Sequence, residues 1–136
     1  MYKVGGRIWR PRVYGQDLAV AQALPQNDTW TGTPIKAGRI EGAIEIAIIA
    51  NTALTLADGK TLTINLRHAG PDLNFTDLDT AYQLTAAAGN GSIAADTELG
   101  RFALPSSSKF WVLATITTDD AAADGKLDLI TCYTPR

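Results

Sequence analysis

The residues that could form a catalytic triad are few and lie far apart in the sequence. One set, Ser106, His68 and Asp119, can be assembled on paper. Nothing local supports hydrolysis, because Ser106 lies in a polar run after Pro105 and not in a strand–turn–helix nucleophile elbow. His68 ends an alternating segment, which favours a partly buried, hydrogen-bonded histidine at the rim of a core. We therefore expect no catalytic residue, and a protein that is not an enzyme.

Acidic residues form two groups where a metal ion has to be considered. The first is Asp72, Asp77 and Asp79, and the second is Asp119, Asp120, Asp124 and Asp128. Calcium takes about six to eight oxygen ligands, but neither group has the spacing and distal glutamate of an EF-hand. Aspartates also stabilise turns without a metal, so turn formation is the simpler interpretation and structural calcium is the alternative. With one histidine, one cysteine and no phosphate-binding glycine loop, we expect no metal and no cofactor.

Composition indicates one globular domain made in a reducing compartment. The chain has 136 residues, of which 46% are hydrophobic and 19% are charged. Cys132 is the single cysteine, so it cannot form an intramolecular disulfide. No stretch approaches the ~18 apolar residues of a membrane span, and the N-terminus lacks the apolar run of a signal peptide. We expect no membrane partner.

Positive charge is concentrated at the N-terminus. Lys3, Arg7, Arg10 and Arg12 give the first twelve residues +4, and residues 13–136 carry −6 because the total is −2. A basic segment before an acidic body is typical of an arm that docks on a partner, and Arg, Trp and Tyr are enriched in interfaces. The candidate docking residues are Arg7, Trp9, Arg10, Arg12 and Tyr14.

Two alternatives for this arm stay open. It could pack on its own domain, or it could bind single-stranded nucleic acid through its basic and aromatic residues. Four charges are few for nucleic acid, and the acidic body would repel a long polyanion. We therefore expect no nucleic-acid partner.

Hydrophobic periodicity divides the chain into an irregular arm, residues 1–39, and a body, residues 40–136. Glycine and proline interrupt the arm, in which residues 17–24 predict a short helix between Asp17 and Pro25. In the body, residues 44–49 and 61–68 alternate between apolar and other positions, as a half-buried strand does. Residues 109–118 carry apolar side chains at both alternating sets of positions, which predicts a strand covered on both faces.

The tetrapeptide Ala-Asp-Gly-Lys occurs at residues 57–60 and again at 123–126. Asp-Gly between alternating segments predicts hairpin turns, which would pair residues 61–68 with 51–56 and residues 127–133 with 109–118. The predicted fold class is all-β: a jelly roll or β-sandwich of about seven to eight antiparallel strands, with a small barrel as an alternative.

The body resembles a known class of viral proteins. The segments that carry the resemblance are Ala43-Ile44-Glu45-Ile46, residues 51–60, Leu62-Thr63-Ile64-Asn65-Leu66, residues 81–86, residues 98–105 and Gly125-Lys126-Leu127-Asp128-Leu129. Together they resemble the jelly-roll cement (decoration) proteins of podophage-type tailed bacteriophages. The resemblance covers roughly residues 40–136 and rests on strand and turn patterns, with no catalytic signature.

The resemblance implies a virion structural protein without cofactor or reaction. Such proteins bind the outside of the capsid shell and clamp neighbouring capsid subunits, so the implied partner is the major capsid protein of the same phage. The implied location is the capsid surface of the virion, after synthesis in the host cytoplasm.

Two other functions remain open from the residues themselves. The first is a carbohydrate- or host-surface-binding module, in which Trp9, Trp30 and Trp111 would form a stacking platform. The second is a small β-fold hydrolase that uses carboxylates. We further expect a homo-oligomer, a dimer or trimer, because strands that are apolar on both faces need a cover beyond one sandwich layer.

Overall fold

The described residues form two packed antiparallel sheets. The structure, a computed structural model, describes the backbone of residues 2–4, 8–10, 17–36, 44–104 and 109–133, and the side chains of residues 17–36, 45–104 and 109–132. Every described element is a β-strand, so the all-β prediction is confirmed. In chain order the strands are β1 Tyr2–Val4, β2 Ile8–Arg10, β3 Ala19–Ala23, β4 Asp28–Thr31, β5 Ile35–Lys36, β6 Ile44–Ala50, β7 Leu54–Thr55, β8 Thr61–Ala69, β9 Thr76–Thr85, β10 Ser92–Ile93, β11 Glu98–Ala103, β12 Trp111–Thr118 and β13 Lys126–Tyr133.

The two main sheets have the layered arrangement of a β-sandwich. The four-stranded sheet has the order β11-β6-β13-β3, and the five-stranded sheet has the order β4-β12-β8-β9 with β5 also paired to β12. Strands β1 and β2 form a separate hairpin, and β7 pairs with β10 in a short third sheet. A jelly-roll order of strands stays a prediction.

The core lies between the two main sheets. Alternate residues of the central strands point into it, because successive side chains of a strand face opposite sides of the sheet. The prediction for residues 61–68 is confirmed, since Leu62, Ile64 and Leu66 are fully buried. Each such side chain contributes about 1.5–3 kcal/mol when removed from water. The inward residues of the four central strands are Ile46, Ile48, Leu62, Ile64, Leu66, Val112, Ala114, Ile116, Leu127 and Leu129.

Residues 17–36, which the sequence pattern predicts to be part of an irregular arm, pair with the body. The predicted helix over residues 17–24 is wrong, because this segment contains edge strand β3, which pairs with β13. Leu18, Ala19 and Leu24 are buried in the core, and this burial together with the free edge of β13 outweighs the helix propensity of the alanines. Strands β4 and β5 extend the five-stranded sheet along β12.

The first Ala-Asp-Gly-Lys segment, residues 57–60, forms a turn, whereas the second, residues 123–126, follows a turn at 120–123 and already pairs with Thr55 at Asp124. Neither joins a hairpin. Gly59 and Gly125 have φ of 84° and 110°, values that favour glycine. After the first turn, β8 pairs with β9 and β12, and after the second, β13 pairs with β6 and β3. The predicted pairings of residues 61–68 with 51–56 and of 127–133 with 109–118 are therefore wrong. Each turn carries the chain from one sheet of the sandwich to the other.

The sandwich has two different ends. One end, here called the turn end, gathers segments 24–27, 51–60, 86–97 and 119–125. Backbone hydrogen bonds join these segments to one another, among them Leu24 N–H to the Gly125 carbonyl at 3.0 Å and Leu56 N–H to the Gly91 carbonyl at 3.0 Å. The opposite end is called the arm end; β5 ends there at Lys36, opposite Trp111 of β12, and β6 begins there at Ile44, opposite Tyr133 of β13.

Candidate partner-docking surfaces

The predicted docking residues lie in or beside hairpin β1–β2. Arg7, Arg12 and Tyr14 lie outside the described residues, and Trp9 and Arg10 belong to β2, where only the backbone is described. In the hairpin, Lys3 pairs with Trp9, Val4 pairs with Ile8 and Tyr2 pairs with Arg10. Positions along a strand alternate between its two faces. Lys3 and Trp9 therefore belong to one face of the hairpin, and the pairs Val4–Ile8 and Tyr2–Arg10 belong to the opposite face. The docking role of these residues stays a prediction.

The arm end is where the described body meets the rest of the chain. Asp17 precedes β3, Lys36 ends β5, and Ile44 begins β6 opposite Tyr133 of β13. At the same end, β11 finishes at Ala103, opposite Glu45 of β6. Residues 37–43, 105–108 and 134–136 therefore adjoin the body at this end, whereas residues 1–16 precede Asp17 beside the middle of β13.

The outer face of the four-stranded sheet is apolar and buried. Ile130 pairs with Ala47, Asp128 with Ile49 and Cys132 with Glu45, so these side chains share the face that points away from the core. Ala47 and Cys132 are fully buried, and Ile130 and Ile49 are only 3% and 6% exposed. Here we call Ala47, Ile49, Ile130 and Cys132 the outer apolar face.

An ion pair borders the outer apolar face. On β11, Arg101 Nε lies 2.5 Å from Glu98 Oε1, and the two side chains are only 17% and 22% exposed. The cross-strand partners of Arg101 and Glu98 on β6 are Ala47 and Ile49. The Nη1 and Nη2 atoms of Arg101 are buried and have no hydrogen-bond partner among the described residues. Buried guanidinium groups need acceptors, so this edge of the face is incomplete without a further segment.

The outer face of the five-stranded sheet is polar and rich in threonine. One row across the sheet is Thr29, Thr117, Thr63 and Gln83, and the next is Thr31, Thr115, Asn65 and Thr80. Hydrogen bonds tie neighbours within the rows: Thr29 Oγ1 and Thr117 Oγ1 are 3.0 Å apart, and Thr80 Oγ1 donates to Asn65 Oδ1 at 2.8 Å. Successive residues of a row lie on neighbouring strands, which in a sheet are about 4.8 Å apart. This face, called the threonine face, is a broad surface and not a pocket.

Aromatic residues mark the arm end of the threonine face. The rings of Phe110 and Trp111 make an edge-to-face contact with centroids 5.4 Å apart, and Lys36 Nζ lies 5.5 Å from the centre of the Trp111 ring. Trp30, by contrast, pairs with Ile116 and packs on the core side of the sheet. Trp30 and Trp111 therefore lie on opposite faces and do not form the predicted common stacking platform.

The aspartates at the turn end bind backbone N–H groups. Asp120 is buried, and its carboxylate accepts hydrogen bonds from Ala57 N–H at 2.9 Å and Ala122 N–H at 2.8 Å. These bonds, first that from Ala57, lower the pKa of Asp120 below its usual 3.8, as does the charge of Lys60, while burial opposes them. Asp119 accepts from Thr61 N–H at 2.7 Å.

The other aspartates act in a similar way. Asp128 accepts from Ala21 N–H at 2.7 Å and from Asn51 Nδ2, and Asp72 accepts from Asn74 N–H at 3.2 Å. Within the described ranges, no three His, Cys, Asp or Glu side chains come together as a metal-binding group. Hydrogen bonding to loops and strands accounts for these carboxylates without a cation.

A small pocket lies where bulges interrupt the pairing of β8 with β9. It has a volume of about 280 Å³ and is lined by Asn65, Leu66, Asp77, Leu78, Asp79 and Thr80. Asp77 pairs with Arg67 at 3.3 Å, and Asp79 accepts from Thr80 N–H at 2.8 Å. Ligand pockets are mostly larger and apolar, so this pocket is best explained by the bulges themselves.

The structure does not bring together the residues of the hypothetical Ser106, His68 and Asp119 triad. His68 lies at the arm end of β8, whereas Asp119 binds Thr61 at the opposite end of the same strand. Seven residues of extended chain separate these positions by roughly 23 Å. Ser106 lies outside the described residues. His68 is half-buried and its Nδ1 accepts from Lys109 N–H at 3.2 Å, which confirms the prediction of a hydrogen-bonded rim histidine.

Sequence reasoning missed two of these features. The role of Asp120 has a local signal, an aspartate pair directly after a strong strand, but its partner Ala57 is 63 residues away. The threonine face has no local signal, because its rows exist only once the order of β4, β12, β8 and β9 is known.

Comparisons with known proteins add no identification. Neither a protein-family model, nor a curated protein, nor a solved structure matches this chain. Within the described residues, no helix has the length and apolar character needed to cross a bilayer.

Proposed function

We propose that this chain is a structural protein of a bacteriophage virion, which binds the outside of the capsid shell and cements neighbouring capsid subunits. The observation that carries the proposal is where the segments that resemble cement proteins lie. They contribute to β6 and β13 in the centre of one sheet, to β8 and β9 in the other, and to β11 at an edge. The resemblance therefore concerns the framework of the sandwich and not a peripheral loop.

The physical properties of the body suit such a role. A clamp has to keep its shape under load, and here the loops of the turn end are joined by backbone and Asp120 hydrogen bonds. It also needs broad contact surfaces, and the threonine face is one. On a symmetric lattice, many weak contacts add up to strong retention through multivalency. The proposed role requires neither a catalytic residue nor a cofactor.

The proposed partner is the major capsid protein of the same phage, and the proposed location is the surface of its capsid after synthesis in the host cytoplasm. Arg7, Trp9, Arg10, Arg12 and Tyr14 are the proposed docking residues, with the arginines on carboxylates of the shell and Trp9 in a pocket. A groove on a protein surface commonly accepts an extended segment in this way.

We also propose that the protein is a homo-oligomer, a dimer or trimer. Leu113 lies on the outer side of β12 but is only 5% exposed, beside Thr115 at 8%. Both are buried within a single chain, so a second copy would pack beside them on the rest of the threonine face, and closed symmetric assemblies are the usual outcome. Light scattering between low and high micromolar concentration tests this: a monomer throughout would contradict it.

The test of the main proposal is co-sedimentation with capsid shells that lack this protein. Saturable binding and a higher temperature of shell disruption are the expected results. The same preparation is passed over a panel of glycan resins, because a carbohydrate-binding module is the alternative. Protein that stays in the supernatant with shells at low and moderate salt, and is retained by a glycan, would contradict the capsid role and favour the alternative.

A further inference from the structure

The outer apolar face needs a cover that the described strands do not provide. Ala47, Ile49 and Cys132 form their own cluster, separate from the core between the sheets. The main contacts of β6 are with β13 and β11, and those of β13 are with β6 and β3, all in the same sheet. The side chains are nevertheless buried, and Arg101 buries two nitrogen atoms that lack acceptors among the described residues. Both observations indicate a segment lying over this face.

The lengths of the remaining segments indicate which of them can cover the outer apolar face. Residues 37–43 have to link β5 in one sheet to β6 in the other, and residues 105–108 have to link β11 to β12 in the same way. The sheets of a sandwich lie about 10 Å apart, so even an extended link of seven residues, which reaches about 25 Å, keeps only about 15 Å to run over the face and return to the next strand. Residues 1–16 have the length to cross a four-stranded sheet, and they join the body at Asp17, beside β13.

The sequence and charge of residues 1–16 also favour this segment as the cover of the outer apolar face. Hairpin β1–β2 places Val4 opposite Ile8 on one face and Lys3 opposite Trp9 on the other. The first twelve residues carry +4 and the remaining residues carry −6, so attraction favours contact between them. Turn and loop carbonyls of such a segment can also serve as the acceptors that Arg101 lacks.

We propose that the outer apolar face is the docking site of this chain's own N-terminal segment, with the Val4 and Ile8 face of hairpin β1–β2 packed over Ala47, Ile49, Ile130 and Cys132. The hairpin forms a third layer on the sandwich and leaves the Lys3 and Trp9 face turned away from the sheet. The inference does not depend on the capsid role. If both hold, the hairpin lies between its own sheet and the shell.

Cys132 is the natural probe of this cover, because it is the single cysteine and is buried on this face. The experiment measures the labelling rate of Cys132 by a thiol reagent in the full chain under native conditions. In Ile8→Asp, a charge at the proposed contact should raise the rate ~10-fold or more, since an unpaired charge on an apolar face is strongly disfavoured. The matched control Lys3→Asp, on the other face of the hairpin, should stay within ~2-fold of the wild type.

A second thiol keeps the test specific. Ala114→Cys with Cys132→Ser places the thiol in the core between the sheets, where Ala114 is fully buried. Its labelling should stay slow when Ile8→Asp is added; equal acceleration of both thiols would mean general unfolding and would overturn the inference. Protection of Cys132 that Ile8→Asp leaves unchanged would also overturn it. So would protection that grows with protein concentration, because the cover would then come from a second copy.

Discussion

The carboxylate of Asp120 accepts a hydrogen bond of 2.9 Å from the backbone N–H of Ala57, which lies 63 residues earlier in the chain. Ala57 belongs to the turn that leads into β8, and Asp120 to the segment that leads from β12 into β13. The Asp120 backbone carbonyl also accepts from Asn27 N–H at 3.1 Å. Asp120 thereby joins segments 24–27, 51–60 and 119–125 at the turn end. Segments 51–60 and 119–125 each connect one sheet to the other.

Replacing Asp120 with Ala should lower the melting temperature by several degrees, because the Ala57 and Ala122 N–H groups lose their acceptor. The matched control is Asp124→Asn, an exposed aspartate in the same segment. We expect the control to stay close to the wild type. Equal melting temperatures for the two variants would contradict the role given to Asp120.

The Asp120 carboxylate also predicts how the free energy of unfolding changes at acidic pH. Hydrogen bonds from Ala57 and Ala122 lower the pKa of Asp120 in the folded state, so its contribution to stability is present above the unfolded pKa. That contribution is lost as pH falls through the folded pKa. Asp120→Asn should therefore differ most from the wild type near neutral pH and converge with it in strong acid. Urea unfolding as a function of pH measures this, and a constant difference would count against it.

Tyr82 predicts how the free energy of unfolding changes at alkaline pH. Burial raises the pKa of Tyr82 above its usual 10.0, and its ring packs near Gly100 of β11. A raised folded pKa means that the contribution of the neutral phenol is complete below the unfolded pKa and is lost as pH rises through the folded pKa. Tyr82→Phe should flatten the alkaline part of the stability profile. An alkaline profile that is the same in both proteins would refute this.

Gly59 and Gly125 should differ in their tolerance of alanine. Gly59 and Gly125 both have positive φ, but a Cβ at Gly59 meets nothing within 4 Å, whereas one at Gly125 would lie 2.5 Å from the Ala53 carbonyl oxygen. Gly59→Ala should cost about 1–2 kcal/mol of unfolding free energy from backbone strain alone. Gly125→Ala should cost clearly more, because the backbone also has to shift. Chemical denaturation measures both, and equal losses would contradict the steric argument.

Replacing Trp9 with Ala should weaken shell binding by ~2 kcal/mol or more, as for an aromatic interface anchor. The melting temperature of the isolated protein should hardly change, because Trp9 lies on the hairpin face that we place away from the sheet. Replacing Arg7, Arg10 and Arg12 together should mainly slow association and reduce its salt sensitivity. A lower melting temperature of Trp9→Ala with unchanged shell binding would instead mean that Trp9 packs on its own domain.

Deleting residues 1–12 should leave a body that folds cooperatively. The core between the sheets is built from strands and loops that follow residue 17. A single thermal transition and a native β signal in circular dichroism are the expected results. A deletion variant without that signal would show that the hairpin is required for folding.

Local sequence patterns are sufficient to predict that residues 44–49, 61–68 and 109–118 are extended, and which side of residues 44–49 and 61–68 faces the core. Leu62, Ile64 and Leu66 are buried as their alternation predicts, and Ile46 and Ile48 are likewise inward. These properties are local, because the two-residue period of a strand is set by its own backbone.

Strand pairing, in contrast, depends on contacts between segments that are distant in the sequence. Asp58-Gly59 forms a turn and Asp124-Gly125 directly follows one, but a turn fixes the conformation of a few residues and not the partner of the strand that follows. The strand after each turn crosses to the opposite sheet, because its apolar side is buried only there, between the two layers. Residues 19–23 became a strand for a related reason: the edge of β13 offered hydrogen bonds that no local pattern reveals. The outer apolar face, the threonine face and the Asp120 contacts all follow from these pairings, and so they could not be read from the sequence alone.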